Sequence, residues 1–156
     1  MKEFKAPQRY FIGEEDRVVF LAGSIEMGKA DNWQTRIVKA LKGKNGIILN
    51  PRRDDWDSSW VQEIDNPKFR EQVEWELKAM EDAHIIAMMF DPATKSPITL
   101  LELGLWTVMY GGNQKLLVCC PKGYWRKGNV DIVCRKYKIP MVVSEQDLIL
   151  TIKHKI

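Results

Sequence analysis

The chain has 156 residues, of which 45% are hydrophobic and 29% charged, with 24 Lys and Arg against 21 Asp and Glu. That length predicts a single domain spanning residues 1–156 with a core large enough to need no cross-links, and the composition excludes disordered, collagen-like and coiled-coil chains. A net charge of +3 is too small to argue for a nucleic-acid partner, and no uncharged apolar stretch reaches the roughly 18 residues of a membrane span.

Apolar runs and helix signatures alternate along the chain. The first run, Val18-Val19-Phe20-Leu21-Ala22, ends at Gly23-Ser24-Ile25, with Gly28 close behind. A helix is expected from about Asp31 to Leu41, followed by a second run at Ile47-Ile48-Leu49 and the turn Asn50-Pro51-Arg52. The segment from Arg52 to Asp65 is a long polar connection, and such loops in compact domains are often functional. Asn66-Pro67 then signals a helix start, an N-cap followed by proline at the first helical position. The third run, Ile85 to Phe90, leads to Asp91 and to a second start signal at Ser96-Pro97. Leu116 to Cys120 and Met141-Val142-Val143 complete the runs, with shorter helices expected near Asn129–Tyr137 and Ser144–Ile152. Runs that are continuous rather than alternating fit strands covered on both faces, so the expected fold is α/β, a doubly wound sheet of five mainly parallel strands with helices on both faces. In such sheets ligands lie beyond the carboxyl ends of the strands, which singles out Gly23, Ser24, Asn50, Arg52, Asp91 and Pro121.

The carboxylates carry the sharpest chemical signal. From Pro97 to Met109 the only ionisable residue is Glu102, and its helical neighbours would be Ile98, Leu105, Trp106 and Met109. An acid on so apolar an element is costly unless it is paired or used; a buried Glu satisfied by an amide or a basic group explains it equally well. On the preceding helix, Phe69, Val73, Leu77 and Met80 form the expected core stripe, with Glu76 at its edge and Glu74 on the opposite face beside Arg70 and Lys78. Two carboxyl groups converging on a pocket suit glycosyl chemistry, one attacking the anomeric carbon and one handling a proton, about 5–5.5 Å apart in retaining enzymes.

The remaining candidates are less specific. Gly23-Ser24 can present N–H groups to an anion but lacks the dinucleotide pattern, and Ser96 serves as helix cap or as ligand donor. Arg52 and Arg53 suit phosphate or pairing with Asp54 and Asp55. Trp56 and Trp60 could stack on a base or anchor their loop, and Trp75 is assigned to an interface because it faces away from the expected stripe. Cys119, Cys120 and Cys134 suggest reduced, buried thiols in a cytosolic protein, and with only His84 and His154 no zinc site is expected.

Val19-Phe20-Leu21-Ala22-Gly23-Ser24-Ile25 and Leu100-Leu101-Glu102-Leu103-Gly104 together resemble the nucleoside 2-deoxyribosyltransferase family, which includes the nucleoside 5′-monophosphate N-glycosidases. The resemblance runs from about Val18 to Val143. It implies a flavodoxin-like fold and cleavage of an N-glycosidic bond, with Glu102 as nucleophile and no metal or organic cofactor. The family's second acid lies eight positions before the start of its A-D-hydrophobic strand, here Ala83-His84-Ile85, and so falls on Glu76. His84 replaces an Asp, and Ser96 stands where the transferases carry an acid and looks like the monophosphate hydrolases. Gly128-Asn129-Val130-Asp131 resembles the segment a neighbouring subunit donates to the sugar, which implies a cytoplasmic homo-oligomer with shared sites and Asn129 and Asp131 as binding residues. The implied partner is a small nucleoside or nucleotide. A nucleotide-binding module without turnover and a glycohydrolase acting on a larger nucleotide such as NAD are the alternatives.

Overall fold

The computed structural model describes residues 1–25, 30–57, 59–110 and 114–156; Gly28 lies outside them. Strands β1 (Lys2–Lys5), β2 (Val18–Gly23), β3 (Ile47–Asn50), β4 (Ile85–Met89), β5 (Leu116–Cys119) and β6 (Met141–Val142) form one sheet. They alternate with helices α1 (Trp33–Ala40), α2 (Pro67–Asp82), α3 (Pro97–Tyr110), α4 (Lys127–Lys136) and α5 (Glu145–Lys155). Every pairing is parallel and the strand order is β1-β3-β2-β4-β5-β6. The expected five strands become six. The added strand is Lys2-Glu3-Phe4-Lys5, whose charged sequence suits an edge that only β3 covers. Without it the order is that of a flavodoxin-like sheet.

Alternation along the strands divides the core into two layers. Phe20, Ala22, Leu49, Met88 and Val118 face α2, α3 and α4, where they meet Met80, Leu103, Trp106 and Val130. Leu21, Ile48, Ala87 and Leu117 face α1 and α5, where they meet Trp33, Ile37, Leu148 and Ile152. The helix starts follow their capping residues. The Asn66 side chain accepts from Lys68 N at 3.1 Å and from Phe69 N at 3.3 Å, and the Ser144 hydroxyl accepts from Asp147 N at 3.1 Å.

The buried face of α2 differs from the expected stripe. Gln72, Ala79 and Met80 are buried and Leu77 is 38% exposed, so the helix is rotated toward its polar residues and Glu76 lies within the inner face. Trp75 is also not an outward interface residue. Its ring packs 6.5 Å from Phe20 and 5.9 Å from Tyr10, and its Nε1 donates to Gln8 O at 2.9 Å. The three cysteines are free and buried, and burial pushes the Cys119 and Cys134 thiols up to about 12 and Cys120 up to about 11. No helix among the described residues is long and apolar enough to cross a membrane.

His84 has a structural task. Its Nδ1 accepts from Val18 N at 3.1 Å while its backbone N–H donates to Val18 O at 2.8 Å, so ring and main chain together close the start of the β2–β4 ladder. His84→Ala leaves the Val18 amide without that acceptor and is expected to cost about 1 kcal/mol in urea unfolding.

Candidate active site at the strand switch point

The chain leaves β2 toward β3 on one side and β4 on the other, which opens a crevice at the carboxyl ends of the two central strands. A cleft of about 350 Å³ occupies it, within the range of small-molecule sites. Its floor is Phe20, Ala22 and Gly23; one wall is Phe69, Gln72 and Glu76 of α2, and the other is the first turns of α3 from Pro97 to Glu102. Gly23 has φ +147°, and a Cβ there would stand 2.4 Å from Met89 O, so only glycine lets β2 pass this close to β4.

Glu76 and Glu102 face this cleft from neighbouring helices. Glu102 is 9% exposed on a helix side shared with Thr99, Leu103, Trp106 and Thr107; of the neighbours expected from periodicity Trp106 is buried with it, whereas Ile98, Leu105 and Met109 are exposed. Burial pushes the Glu76 carboxyl up to about 7, partly offset by a hydrogen bond from Gln72. Burial raises Glu102 well above the carboxylate range, and the nearby Glu76 charge raises it further. Two acids sharing one desolvated space do not both ionise readily, so burial and mutual repulsion favour the form of the pair that keeps one proton.

Gln72 is the functional candidate that sequence reading missed. It is 4% exposed, and its Nε2 donates to Glu76 Oε1 at 2.6 Å and to Pro51 O at 2.9 Å. Arg53 Nη1 donates to the Gln72 Oε1 at 3.3 Å, and the same guanidinium holds Asp55 through bonds of 2.7 and 2.9 Å. The i, i+4 spacing of Gln72 and Glu76 is visible in the chain, but the Pro51 and Arg53 contacts depend on how the long loop folds back.

That loop forms the outer rim. Trp56 lines the cleft and packs on Trp60 at 5.2 Å between centroids, while Trp60 lies under both Arg53 and Lys68. Arg52 also lines the cleft, and its guanidinium donates to Ala30 O at 3.1 Å and to Asp31 O and Gln34 Oε1 at 3.4 Å.

Of the candidates read from sequence, Gly23, Arg52, Glu76 and Glu102 thus meet in one cleft. Ser24 and Ser96 are buried just behind it: their hydroxyls bond to each other, and Thr94 Oγ1 reaches each at 2.8 Å. Ser24 Oγ also accepts from Asp91 N at 3.0 Å, so these hydroxyls tie the end of β2 to the loop before α3. Ser96 combines this with a left-handed φ of 47°, and its carbonyl accepts the first helical bond from Leu100 N at 3.1 Å. Asn50 is a joint between strands, its Nδ2 donating to Glu3 Oε1 at 2.7 Å and its Oδ1 accepting from Arg52 N at 3.0 Å. Asp91 lines a second opening of about 480 Å³ on the α1 and α5 side, where Arg36 pairs with Asp31 at 2.8 Å and Glu145 at 2.6 Å. Asn129 and Asp131 lie on α4 away from both openings, with Asp131 paired to Lys127 at 2.8 Å.

The family model described as nucleoside 2-deoxyribosyltransferase like matches residues 16–124. A solved structure described as a conserved protein from Enterococcus faecalis V583 is 15% identical, with a TM-score of 0.62 over 90% of this chain and 99% of that one. At that identity the likeness is one of fold. No curated protein matches the sequence.

Raised carboxyl pKa values in the folded chain mean that it binds protons more tightly than the unfolded chain. Their contribution to stability is therefore lost as pH rises from the ordinary 4.5 through about 7. Glu76→Gln and Glu102→Gln are expected to melt a few degrees above the unmodified protein at pH 8, at about 2–4 °C per kcal/mol, and nearly with it at pH 4.5.

Proposed function

This chain belongs to the nucleoside 2-deoxyribosyltransferase-like family, and from that premise we propose that it cleaves or transfers the N-glycosidic bond of a (deoxy)nucleoside or its 5′-monophosphate. The observation that carries the reading is the desolvated pair Glu76 and Glu102, which lines one cleft of ligand size at the switch point of the sheet. The apolar walls, Phe20, Phe69, Ile98 and Trp56, suit a flat base, and the acids suit its sugar.

In the productive form the pair holds one proton. The Glu102 carboxylate attacks C1′, the C1′–N electron pair leaves with the base, and Glu76 delivers a proton to that base directly or through a water. The glycosyl ester on Glu102 is then opened by water, giving hydrolysis, or by a second base, giving transfer. Arg52 and Gly23 border the substrate, while Ser24, Ser96, Asn50 and Asp91 shape the strand ends around it. The side chains present are sufficient for this chemistry without a cofactor.

A homo-oligomer completes the proposal. The outward side of α3 presents Ile98, Leu101, Leu105, Val108 and Met109 to solvent, with Leu101 at 68% and Val108 at 79% exposure. Ile98 belongs both to this stripe and to the cleft, so a second copy seated on α3 borders the site. The family resemblance assigns Asn129 and Asp131 of a neighbouring subunit to the sugar in such an assembly.

Incubation with nucleosides and their monophosphates, with and without a second base, should yield free or exchanged base. Glu102→Ala should lower kcat by at least about 10³-fold, and a mass increment of one glycosyl unit should map to Glu102 under rapid quench. Full activity of that variant would exclude the mechanism. The acid limb of kcat/KM should fall near pH 7, set by the carboxyl raised to about 7, instead of near 4.5. Leu101→Asp with Val108→Asp should shift the chain to monomer in sedimentation and lower turnover.

A further inference from the structure

The hydrogen-bond chain behind Glu76 has a direction. Asp55 takes two N–H groups of Arg53, Arg53 donates to the Gln72 oxygen, and Gln72 therefore turns its NH₂ toward Pro51 O and Glu76 Oε1. A flipped Gln72 amide would set its oxygen against two acceptors and its NH₂ against a guanidinium, so the arrangement has one stable sense. Both Gln72 N–H groups are spent on acceptors, and Glu76 Oε1 must accept. Docking of α2 against the sheet leaves Gln72 buried, where such a bond to a charged oxygen is strong. Among the described residues Glu102 receives no comparable donor; what acts on it is burial and the Glu76 charge.

We infer that Gln72 is a positioning residue that places the negative charge of the resting carboxyl pair on Glu76 and leaves the shared proton on Glu102. This deepens the proposed function and rests on it for its catalytic meaning. Glu102 is then stored as an unreactive acid and is armed when its proton passes through a water to Glu76, whose Oε2 is the oxygen that Gln72 does not occupy. The Glu102 O–H bond breaks and a Glu76 O–H bond forms; the freed Glu102 electron pair bonds to C1′. The C1′–N pair departs onto the base nitrogen, which takes the proton from Glu76 Oε2. Glu76 returns to the anion that Gln72 holds, and charge and protons balance.

The test uses Gln72→Met, which keeps the length of the side chain and removes the donor. Carboxyl carbons of labelled Glu are titrated by NMR, with Glu76→Gln and Glu102→Gln for assignment, alongside pH profiles of kcat/KM. The expected result is that the first ionisation of the pair, and the acid limb with it, move up by about one to two pH units in Gln72→Met. An unchanged titration overturns the inference, as does a first ionisation that assigns to Glu102 in the unmodified protein. Arg53→Met, which frees the Gln72 amide to turn, should give a smaller shift of the same sign. It replaces Gln72→Met as the deciding variant if the latter does not fold, and no shift in it then overturns the inference. If the unmodified protein releases no base from any nucleoside or monophosphate yet the NMR shift occurs, the proposed function fails and the charge placement stands.

Discussion

Two carboxyl groups held out of water in one small space dominate the energetics of this site. Burying either group charged is unfavourable, and burying both charged in one cleft is worse, which raises both carboxyls above their ordinary range and favours a pair that keeps one proton. Everything around them follows from that constraint. The sheet supplies the dry floor, α2 and α3 supply one acid each, and the long loop returns Arg53 and Trp56 to seal the rim. A protein of this size can tolerate the cost because the apolar layers on both faces of the parallel sheet are large and well filled.

The arrangement also explains why the helices carry polar residues on their inner sides. A helix that only packed against the sheet would bury Leu77 and expose Glu76; α2 instead leaves Leu77 38% exposed, buries Gln72 and keeps Glu76 half-buried at the cleft. Likewise α3 buries Thr99, Glu102 and Thr107 and exposes Leu101, Leu105 and Val108. Each helix is divided between two demands, a packed flank and a cleft-facing flank, and the second demand sets the rotation.

Much of the fold is legible in the chain because parallel strands covered on both faces must be continuously apolar, and Val18–Ala22 or Ile85–Phe90 have no other reading of comparable force. The edge strand Lys2–Lys5 is not, because an edge tolerates charge and so carries no such run. Glu102 stands out as the lone acid of its helix, and Glu76 falls at the edge of the expected stripe, where the family resemblance also places the second acid. The face of α2 escapes periodicity, which scores apolar residues and cannot know that a cleft will bury Gln72 and turn Glu76 inward. Trp75 shows the same limit: its partners Tyr10 and Gln8 come from a segment far away in sequence. Ser24 and Ser96 mark strand and helix ends in the sequence, but their mutual bond depends on a loop whose path no local pattern encodes.

Gly23 finally sets a limit on how this scaffold can diversify. With Met89 O at 2.4 Å from where a methyl would sit and the Trp33 ring at 3.0 Å, the floor of the cleft is shaped by the atoms that are missing. Any side chain introduced there must pry the two central strands apart beneath the cleft. Descendants of this chain can therefore trade residues along the rim to suit new guests, whereas the bottom of the bowl is closed to innovation.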